Sequence, residues 1–144
     1  MAEGFLIDPR LLGESVPLGF LPLSAVLLRD DARFAWVILV PRRPGLVELT
    51  DLTPAERAGL MEEIAEVSAA LAGLVPGCKI NVGALGNIVR QLHVHVVARE
   101  AGDAAWPGPV WGAGERVPLA PDLLAARVAS LQRALFGAVA GATA

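Results

Sequence analysis

The sequence predicts one α+β domain in which a mostly antiparallel sheet is combined with one long helix and a C-terminal helix. Three observations support this fold class. Two apolar segments are joined by a short charged connection, a strong helix-start signal follows at Thr53, and two further strand-like segments are joined by a glycine-rich turn. Strands joined by such short connections pair antiparallel, because a parallel pair needs a crossover of about a dozen residues or more. With 144 residues, the chain has the length of a single domain.

The first two predicted strands span residues 24–28 and 35–40 and are expected to form a hairpin. Both segments are rich in β-branched and other apolar residues, and the connection between them, residues 29–33, is charged. Pro41 and Pro44 then end the second strand, because proline has no N–H to donate to a sheet.

A long helix is predicted to begin after Thr53. The hydroxyl of Thr53 suits a helix cap, Pro54 suits the first helical position, and Glu56 completes a capping box. Pro76 and Gly77 end the helix. Its apolar residues form one stripe, with the acidic residues largely opposite: Leu60, Ile64, Val67, Leu71 and Leu74 against Glu62, Glu63 and Glu66. We therefore expect this helix to pack against the sheet and to carry no chemistry.

The second half of the sheet is predicted from residues 78–82 and the histidine-containing strand that follows them. Residues 101–121 are rich in glycine, proline and tryptophan and show no regular pattern. We expect an ordered loop here, because Trp106 and Trp111 supply large apolar areas that suit covering a site or a partner subunit. Helical periodicity returns from residue 121 to residue 139 and predicts the C-terminal helix.

Composition and charge narrow the classes of protein to consider. Apolar residues make up 54% of the chain, but its apolar runs are far shorter than the about 18 residues of a membrane-spanning helix. The net charge of −3 argues against a general nucleic-acid surface, which would be basic. The single cysteine, Cys78, rules out an internal disulfide framework, and no leader-like pattern is recognisable, so we expect a cytoplasmic protein. The apolar surplus leads us to expect a homodimer.

The most informative segment is residues 91–97, which contain both histidines of the chain. Side chains alternate between the two faces of a strand, so the polar residues Gln91, His93 and His95 share one face and the apolar residues between them share the other. Polar groups on an otherwise apolar strand cost about 1–3 kcal/mol each unless they are satisfied. This face therefore requires a ligand, a metal ion or a hydrogen-bond network.

The stretch from Asn81-Val82-Gly83 to residues 91–97 resembles the active-site region of the histidine-triad (HIT) nucleotide-binding and hydrolase family. Members of that family carry His-φ-His-φ-His-φ-φ, where φ is apolar, on a strand preceded by an Asn-x-Gly turn. Here Gln91 stands where the first histidine of the motif would be. The resemblance implies a HIT-like fold.

The resemblance also extends upstream. The predicted hairpin that ends in Pro41-Arg42-Arg43 and the capped helix after it are similar to the corresponding family elements, so about residues 20–100 are covered. We expect residues 1–144 to form a single HIT-like domain, in which residues 101–144 add the tryptophan-containing loop and the C-terminal helix.

The resemblance implies a nucleotidyl hydrolase or transferase that acts on the α-phosphate of a nucleoside phosphoanhydride or phosphoramidate, such as a dinucleoside polyphosphate. The reaction would pass through a nucleotidyl-histidine intermediate on His93. That role needs a neutral ring with one nitrogen held protonated, for which the carbonyl of Gln91 is a candidate. His95 would donate to a phosphate oxygen, and the Gln91 side chain lacks the titratable group that the first histidine would supply. No cofactor and no obligatory metal ion are implied, and the partner is a small-molecule nucleotide.

Three further residues are expected to bind substrate if the resemblance holds. The amides of Asn81 and Asn87 would add neutral donors around the phosphate. Asp30 lies near the place from which family members bind ribose hydroxyls, and Asp31 is a competing choice. Each also has a purely structural interpretation, because asparagine favours turns and the two aspartates stand at a charged hairpin tip.

Two alternatives remain open at the level of sequence. A cupin-type metal-binding barrel is suggested by Gly86, then His93 and His95, then Glu100, although no further histidine is left for its second motif and a long helix fits an all-β barrel poorly. A non-catalytic nucleotide-binding regulatory protein is the other alternative, with Gln91 marking decayed catalysis.

Overall fold

The computed structural model describes residues 4–137, which form a five-stranded sheet with three helices. The helices are α1 (Pro9–Leu12), α2 (Pro54–Leu74) and α3 (Pro121–Phe136), and a short 3-10 turn spans Leu49–Asp51. The strands are β1 (Ser15–Phe20), β2 (Ser24–Arg29), β3 (Ala35–Pro41), β4 (Lys79–Gly83) and β5 (Val94–Arg99). Within the described residues, no helix is long and apolar enough to cross a membrane.

The sheet is antiparallel throughout, and its strands lie in the order β1-β2-β3-β5-β4. This arrangement confirms the predicted α+β fold class. β2 and β3 form the predicted hairpin, with Leu28 opposite Val37. β4 and β5 are antiparallel neighbours, as predicted, although β4 begins at Lys79 and β5 begins only at Val94.

The edge strand β1 has no counterpart among the predicted strands. It contains Pro17 and Gly19, and its pairing with β2 shifts register between these two residues. A Cβ atom at Gly19 would come within 2.8 Å of the ring of Phe136, so this position is kept small by packing against α3. Proline and glycine are depleted in strands, and local propensity therefore does not predict an element that tertiary contacts form.

The two faces of the sheet carry two separate apolar cores. α2 and α3 pack on one face, where the buried residues of the sheet include Val94 and Val96. The other face is covered by the N-terminal segment, which includes Phe5 and, in the short helix α1, Leu11, and by the 101–121 loop, which contributes Val110. The strand alternation predicted for the histidine segment therefore separates a helix-covered face from a loop-covered face.

The start of α2 agrees with the capping signal. Thr53 Oγ1 accepts from the Glu56 N–H, and the Glu56 carboxylate accepts from the Thr53 N–H, so both halves of the capping box are present. The placement of Glu63 opposite the apolar stripe is wrong, because Glu63 is buried on the same face as Leu60 and Val67. Glu63 is only 3% exposed, and its carboxylate accepts a 2.7 Å hydrogen bond from the Leu23 N–H in the β1–β2 turn. A turn N–H that is partly shielded from water needs an acceptor, and the Glu63 side chain of α2 supplies it.

The C-terminal helix is confirmed from Pro121 to Phe136, where Gly137 ends it in the left-handed conformation that a residue without a side chain adopts readily. The last two positions of the predicted helix, residues 138 and 139, lie outside the described residues.

Candidate active site

The two histidines lie on the loop-covered face of the sheet. His95 is in β5, opposite Ile38 of β3 and Gly83 of β4, and His93 immediately precedes the strand. Their rings meet edge to face with centroids 4.9 Å apart. Although His93 and His95 are only 6% and 8% exposed, both line an open cleft, so neither ring is sealed inside the core.

The orientation of His93 is set by the main chain. Its Nδ1 lies 2.6 Å from the carbonyl oxygen of Gln91, which is the partner predicted from the sequence. A carbonyl oxygen only accepts, so Nδ1 is the nitrogen that carries the proton in the neutral ring. Nε2 is left with a free lone pair, which is the form that a nucleophilic imidazole requires.

The orientation of His95 is set by a tryptophan that the sequence analysis does not single out for the site. The Trp36 indole N–H donates a 2.9 Å hydrogen bond to His95 Nδ1. Because an indole N–H can only donate, His95 Nδ1 is the acceptor and its Nε2 carries the proton. Burial lowers the pKa of His95 from 6.5 to about 3, with smaller contributions from His93 and Arg29. His95 is therefore a neutral donor at neutral pH.

The cleft beside the histidines has a volume of about 880 Å³. Its walls come from the N-terminal segment, the segment between β4 and β5, and the 101–121 loop. The charged residues that line it are four arginines and one carboxylate: Arg10, Arg29, Arg33, Arg116 and Glu14. Each arginine is ion-paired, Arg10 with Asp8, Arg29 with Glu14, Arg33 with Asp31 and Arg116 with Asp30, so the wall presents oriented guanidinium groups rather than an excess of positive charge. Guanidinium groups suit planar contact with a phosphate or carboxylate ligand.

Arg29 connects the charged wall to the histidines. Its guanidinium lies over the Trp36 ring, 4.7 Å from the ring centroid, and forms a 2.9 Å ion pair with Glu14. Since Trp36 also bonds His95, the arginine, the tryptophan and the histidine form one continuous group of contacts.

Trp111 closes one side of the site, which agrees with the expectation that the 101–121 loop covers a site. Its ring meets the ring of His95 with centroids 5.4 Å apart. A Cβ atom at Gly83 would lie 2.8 Å from the Trp111 ring, so the glycine of the Asn-x-Gly motif makes room for the tryptophan. Trp106 is not among the cleft-lining residues and instead lies against the guanidinium of Arg99.

Asn81, predicted to bind substrate, is not part of the cleft wall. Its side-chain oxygen accepts a 3.0 Å hydrogen bond from Arg99, which also forms two hydrogen bonds with the Asp103 carboxylate. Hydrogen bonds from Arg99 lower the pKa of Asp103 to about 2. In the structure, Asn81 therefore belongs to the network that attaches the 101–121 loop to the sheet.

The structure does not bring Asp30 to the cleft wall either. Its carboxylate accepts from the Leu119 N–H at 2.8 Å and lies 3.5 Å from Arg116. Asp31 is fully buried in an ion pair with Arg33. The two aspartates stand behind arginines that line the cleft, and the hairpin tip holds these arginines in place. The hairpin sequence alone does not reveal these contacts, because their partners in residues 113–119 are far away along the chain.

Asn87 does line the cleft, and its side chain forms no hydrogen bond to any described residue. Gln91 is placed differently from the histidines. It lies before β5, where its side-chain amide bonds the main chain of the N-terminal segment and lines a smaller pocket that His93 shares. The two histidines therefore line the same cleft, while the Gln91 amide reaches the N-terminal segment that covers the same face of the sheet.

No group of three His, Cys, Asp or Glu side chains within residues 4–137 is close enough to hold a metal ion. His93, His95 and Glu100 are thus not gathered as a cupin ligand set, and the single sheet with α2 and α3 packed on one face is not a cupin barrel. Sequence reasoning also missed Trp36 and the N-terminal segment, residues 4–13, as parts of the site.

A family model described as HIT domain matches residues 14–102 of the chain. Residues 4–13 precede this match. No curated protein matches the chain.

Three solved structures of histidine triad proteins are similar over nearly the whole chain. A protein from Bradyrhizobium japonicum is 43% identical with a TM-score of 0.89, and the match covers 92% of this chain and 98% of that one. A protein from Sinorhizobium meliloti is 45% identical with a TM-score of 0.88, over 92% and 98% of the two chains. One from Marinobacter aquaeolei is 41% identical with a TM-score of 0.88, over 94% and 98%.

Proposed function

Because the chain belongs to the HIT domain family, we propose that it is a nucleotidyl hydrolase or transferase acting on the α-phosphate of a nucleoside phosphoanhydride or phosphoramidate. Family membership supports a function of the nucleotide-binding or hydrolase type. The observation that carries the more specific proposal is the contact between His93 Nδ1 and the Gln91 carbonyl, because it leaves Nε2 of a cleft-lining imidazole free to attack.

The reaction has two displacements at the same phosphorus. Nε2 of His93 attacks the α-phosphorus, a P–N bond forms, and the bond to the bridging oxygen or nitrogen breaks as the leaving group departs with the electron pair. Water then attacks the nucleotidyl-histidine, the P–N bond breaks, and the nucleoside monophosphate is released. The proton lost by water offsets the proton that the leaving group takes up. An acceptor other than water makes the same enzyme a transferase.

Charge that develops on the phosphate oxygens is stabilised by groups that are oriented before substrate binds. His95 supplies a neutral Nε2–H donor, because Trp36 occupies its Nδ1 and burial keeps its pKa low. Arg29 and the other cleft-lining arginines supply guanidinium donors that their ion pairs hold at the wall. Preorganised donors of this kind stabilise a transition state without reorganising during the reaction.

A substrate panel tests the proposal. It contains an aminoacyl adenylate and a sulfated adenylate, together with a dinucleoside polyphosphate and a nucleoside phosphoramidate, the last two each with adenine and with guanine. We expect wild-type protein to release a nucleoside monophosphate from at least one member, His93→Ala to release none, and a variant on the exposed surface of α3, Leu123→Ala, to match wild type. Equal activity of His93→Ala and wild type would refute the assignment. Binding of adenosine monophosphate with no turnover of any member would support the non-catalytic alternative.

A further inference from the structure

We propose that Gln91 is a positioning residue, and that its side chain holds residues 4–13 in place as one wall of the cleft. The inference rests on the proposed function only in taking the ligand of that cleft to be a nucleotide. It assigns a role to the residue that replaces the first histidine of the motif, and that role is distinct from the chemistry of His93.

The Gln91 carboxamide forms two hydrogen bonds to the main chain of the N-terminal segment. Its Oε1 accepts from the Asp8 N–H at 2.8 Å, and its Nε2 donates to the Leu6 carbonyl at 2.8 Å. A main-chain N–H only donates and a main-chain carbonyl only accepts, so the two partners leave one orientation for the amide. Both bonds join residues that lie more than eighty positions apart, with separations of 83 and 85.

An imidazole at position 91 does not reproduce this pair of bonds. A neutral ring has one donor and one acceptor, but they point away from each other across the ring, whereas a carboxamide presents both on one carbon. The two main-chain partners of Gln91 belong to residues separated by only one position. Glutamine at this position therefore suits a segment that must be attached.

The attached segment continues into the cleft wall. Asp8 caps α1 and pairs with Arg10, whose guanidinium also donates to the Ile88 carbonyl at 3.2 Å. Leu11 is buried in the loop-covered core, and Arg10 and Leu11 both line the cleft. The two hydrogen bonds made by Gln91 thus fix the start of a segment whose next turn, α1, lines the cleft.

The polar atoms of the Gln91 side chain are consequently engaged with the main chain and are not free for proton transfer. The main-chain carbonyl of the same residue orients His93. Gln91 therefore acts on the two sides of the site separately: its carbonyl positions the nucleophile, and its amide positions a wall.

Two variants test the role of the amide. Gln91→Glu keeps the shape but replaces the donor with an oxygen that faces the Leu6 carbonyl, and Gln91→His restores the residue of the family motif. Leu123→Ala is the control, because its side chain is 58% exposed on α3, which packs on the opposite face of the sheet from the cleft. The probes are hydrogen exchange in a peptide covering residues 5–12, binding of adenosine monophosphate, and kcat and KM on the best substrate of the panel.

We expect hydrogen exchange in residues 5–12 to be faster in both Gln91 variants. KM should rise roughly tenfold and affinity for adenosine monophosphate should fall roughly tenfold, the effect of two neutral hydrogen bonds. At each pH, kcat should stay within about twofold of wild type. Hydrogen exchange in β5 should be unchanged, and this result would show that the domain is still folded. The control should match wild type.

Three results would overturn the inference: unchanged exchange in residues 5–12, faster exchange with unchanged KM and affinity, or a rise in kcat for Gln91→His. If wild type turns over no panel substrate, the proposed function fails, whereas exchange and nucleotide affinity still decide whether Gln91 positions the wall.

Discussion

Trp36 of β3 and His95 of β5 are joined by a 2.9 Å hydrogen bond from the indole N–H to Nδ1, and this bond determines which nitrogen of the histidine carries a proton. The two residues are diagonal neighbours in the sheet, since Trp36 is opposite Val97 and His95 is opposite Ile38. The register of β3 with β5 and one side-chain contact thus orient a neutral donor beside the proposed nucleophile.

Removing this bond should slow the chemical step. Trp36→Phe keeps an aromatic ring but has no N–H, so His95 becomes free to adopt either neutral tautomer. We expect kcat to fall roughly threefold to tenfold, the effect of one neutral hydrogen bond, with a smaller change in KM. Nitrogen NMR of the histidine rings should show a single Nε2–H form in wild type and a mixture in the variant. Trp106→Phe, outside the cleft, is the control and should leave both readouts unchanged.

The low pKa of His95 predicts an acid-dependent loss of stability. Folding lowers the pKa from 6.5 to about 3, so between these values the unfolded chain binds a proton that the folded chain does not. The contribution of His95 to stability is therefore complete above the unfolded pKa and is lost as pH falls. From about pH 6 to about pH 4.5, the free energy of unfolding should decrease by up to about 1.4 kcal/mol per pH unit.

Urea denaturation at several pH values measures this slope. In His95→Gln the amide oxygen still accepts from Trp36 but cannot be protonated in this range, so the slope should become shallower. An equal slope in the variant and in wild type would contradict the assignment to His95.

Gly83→Ala should disturb the wall formed by Trp111. The added Cβ would lie 2.8 Å from the indole ring, and the ring must move away from His95. We expect a loss of about 1–3 kcal/mol in the free energy of unfolding, typical of overpacking. A smaller side chain at position 111 provides the check: in a Trp111→Leu background, Gly83→Ala should cost much less. If the two substitutions are additive, the close contact is not the cause.

The apolar surplus predicts a homodimer, and we propose that β4 supplies the contact. β1 and β4 are the two edges of the sheet, but Pro17 and the register shift interrupt β1, whereas β4 pairs regularly and leaves Val82 49% exposed. Light scattering after size exclusion should give the mass of two chains, and Val82→Lys should shift the mass toward one chain. A monomeric wild type, or a Val82→Lys dimer, would contradict the proposal.

Features that depend on nearby residues were predictable from the sequence. The Thr53 capping box and the contact between His93 and the Gln91 carbonyl join groups two or three positions apart, and the β2–β3 hairpin joins strands that are consecutive along the chain. Features that depend on tertiary contacts were not. The Trp36–His95 bond spans 59 positions, and a tryptophan in an apolar strand reads as an ordinary core residue.

The same distinction explains the outcomes for the polar residues. Asn81 and Asp30 were selected by motif or by order along the chain. Their hydrogen-bond donors, Arg99 and Leu119, come from later segments that no local sequence pattern links to these positions. Glu63 lies three positions after Leu60 and four before Val67, so helical periodicity places it on the buried face of α2, where its carboxylate accepts from the Leu23 N–H.

The most direct measurement is to mix the protein with a radiolabelled nucleotide substrate from the panel, quench in alkali within the first turnover, and locate the label by peptide mass spectrometry. The account predicts a nucleotidyl group on His93, absent from His93→Ala and retained in Leu123→Ala. Turnover with no adduct on His93 at any quench time, or an adduct on His95, would contradict it.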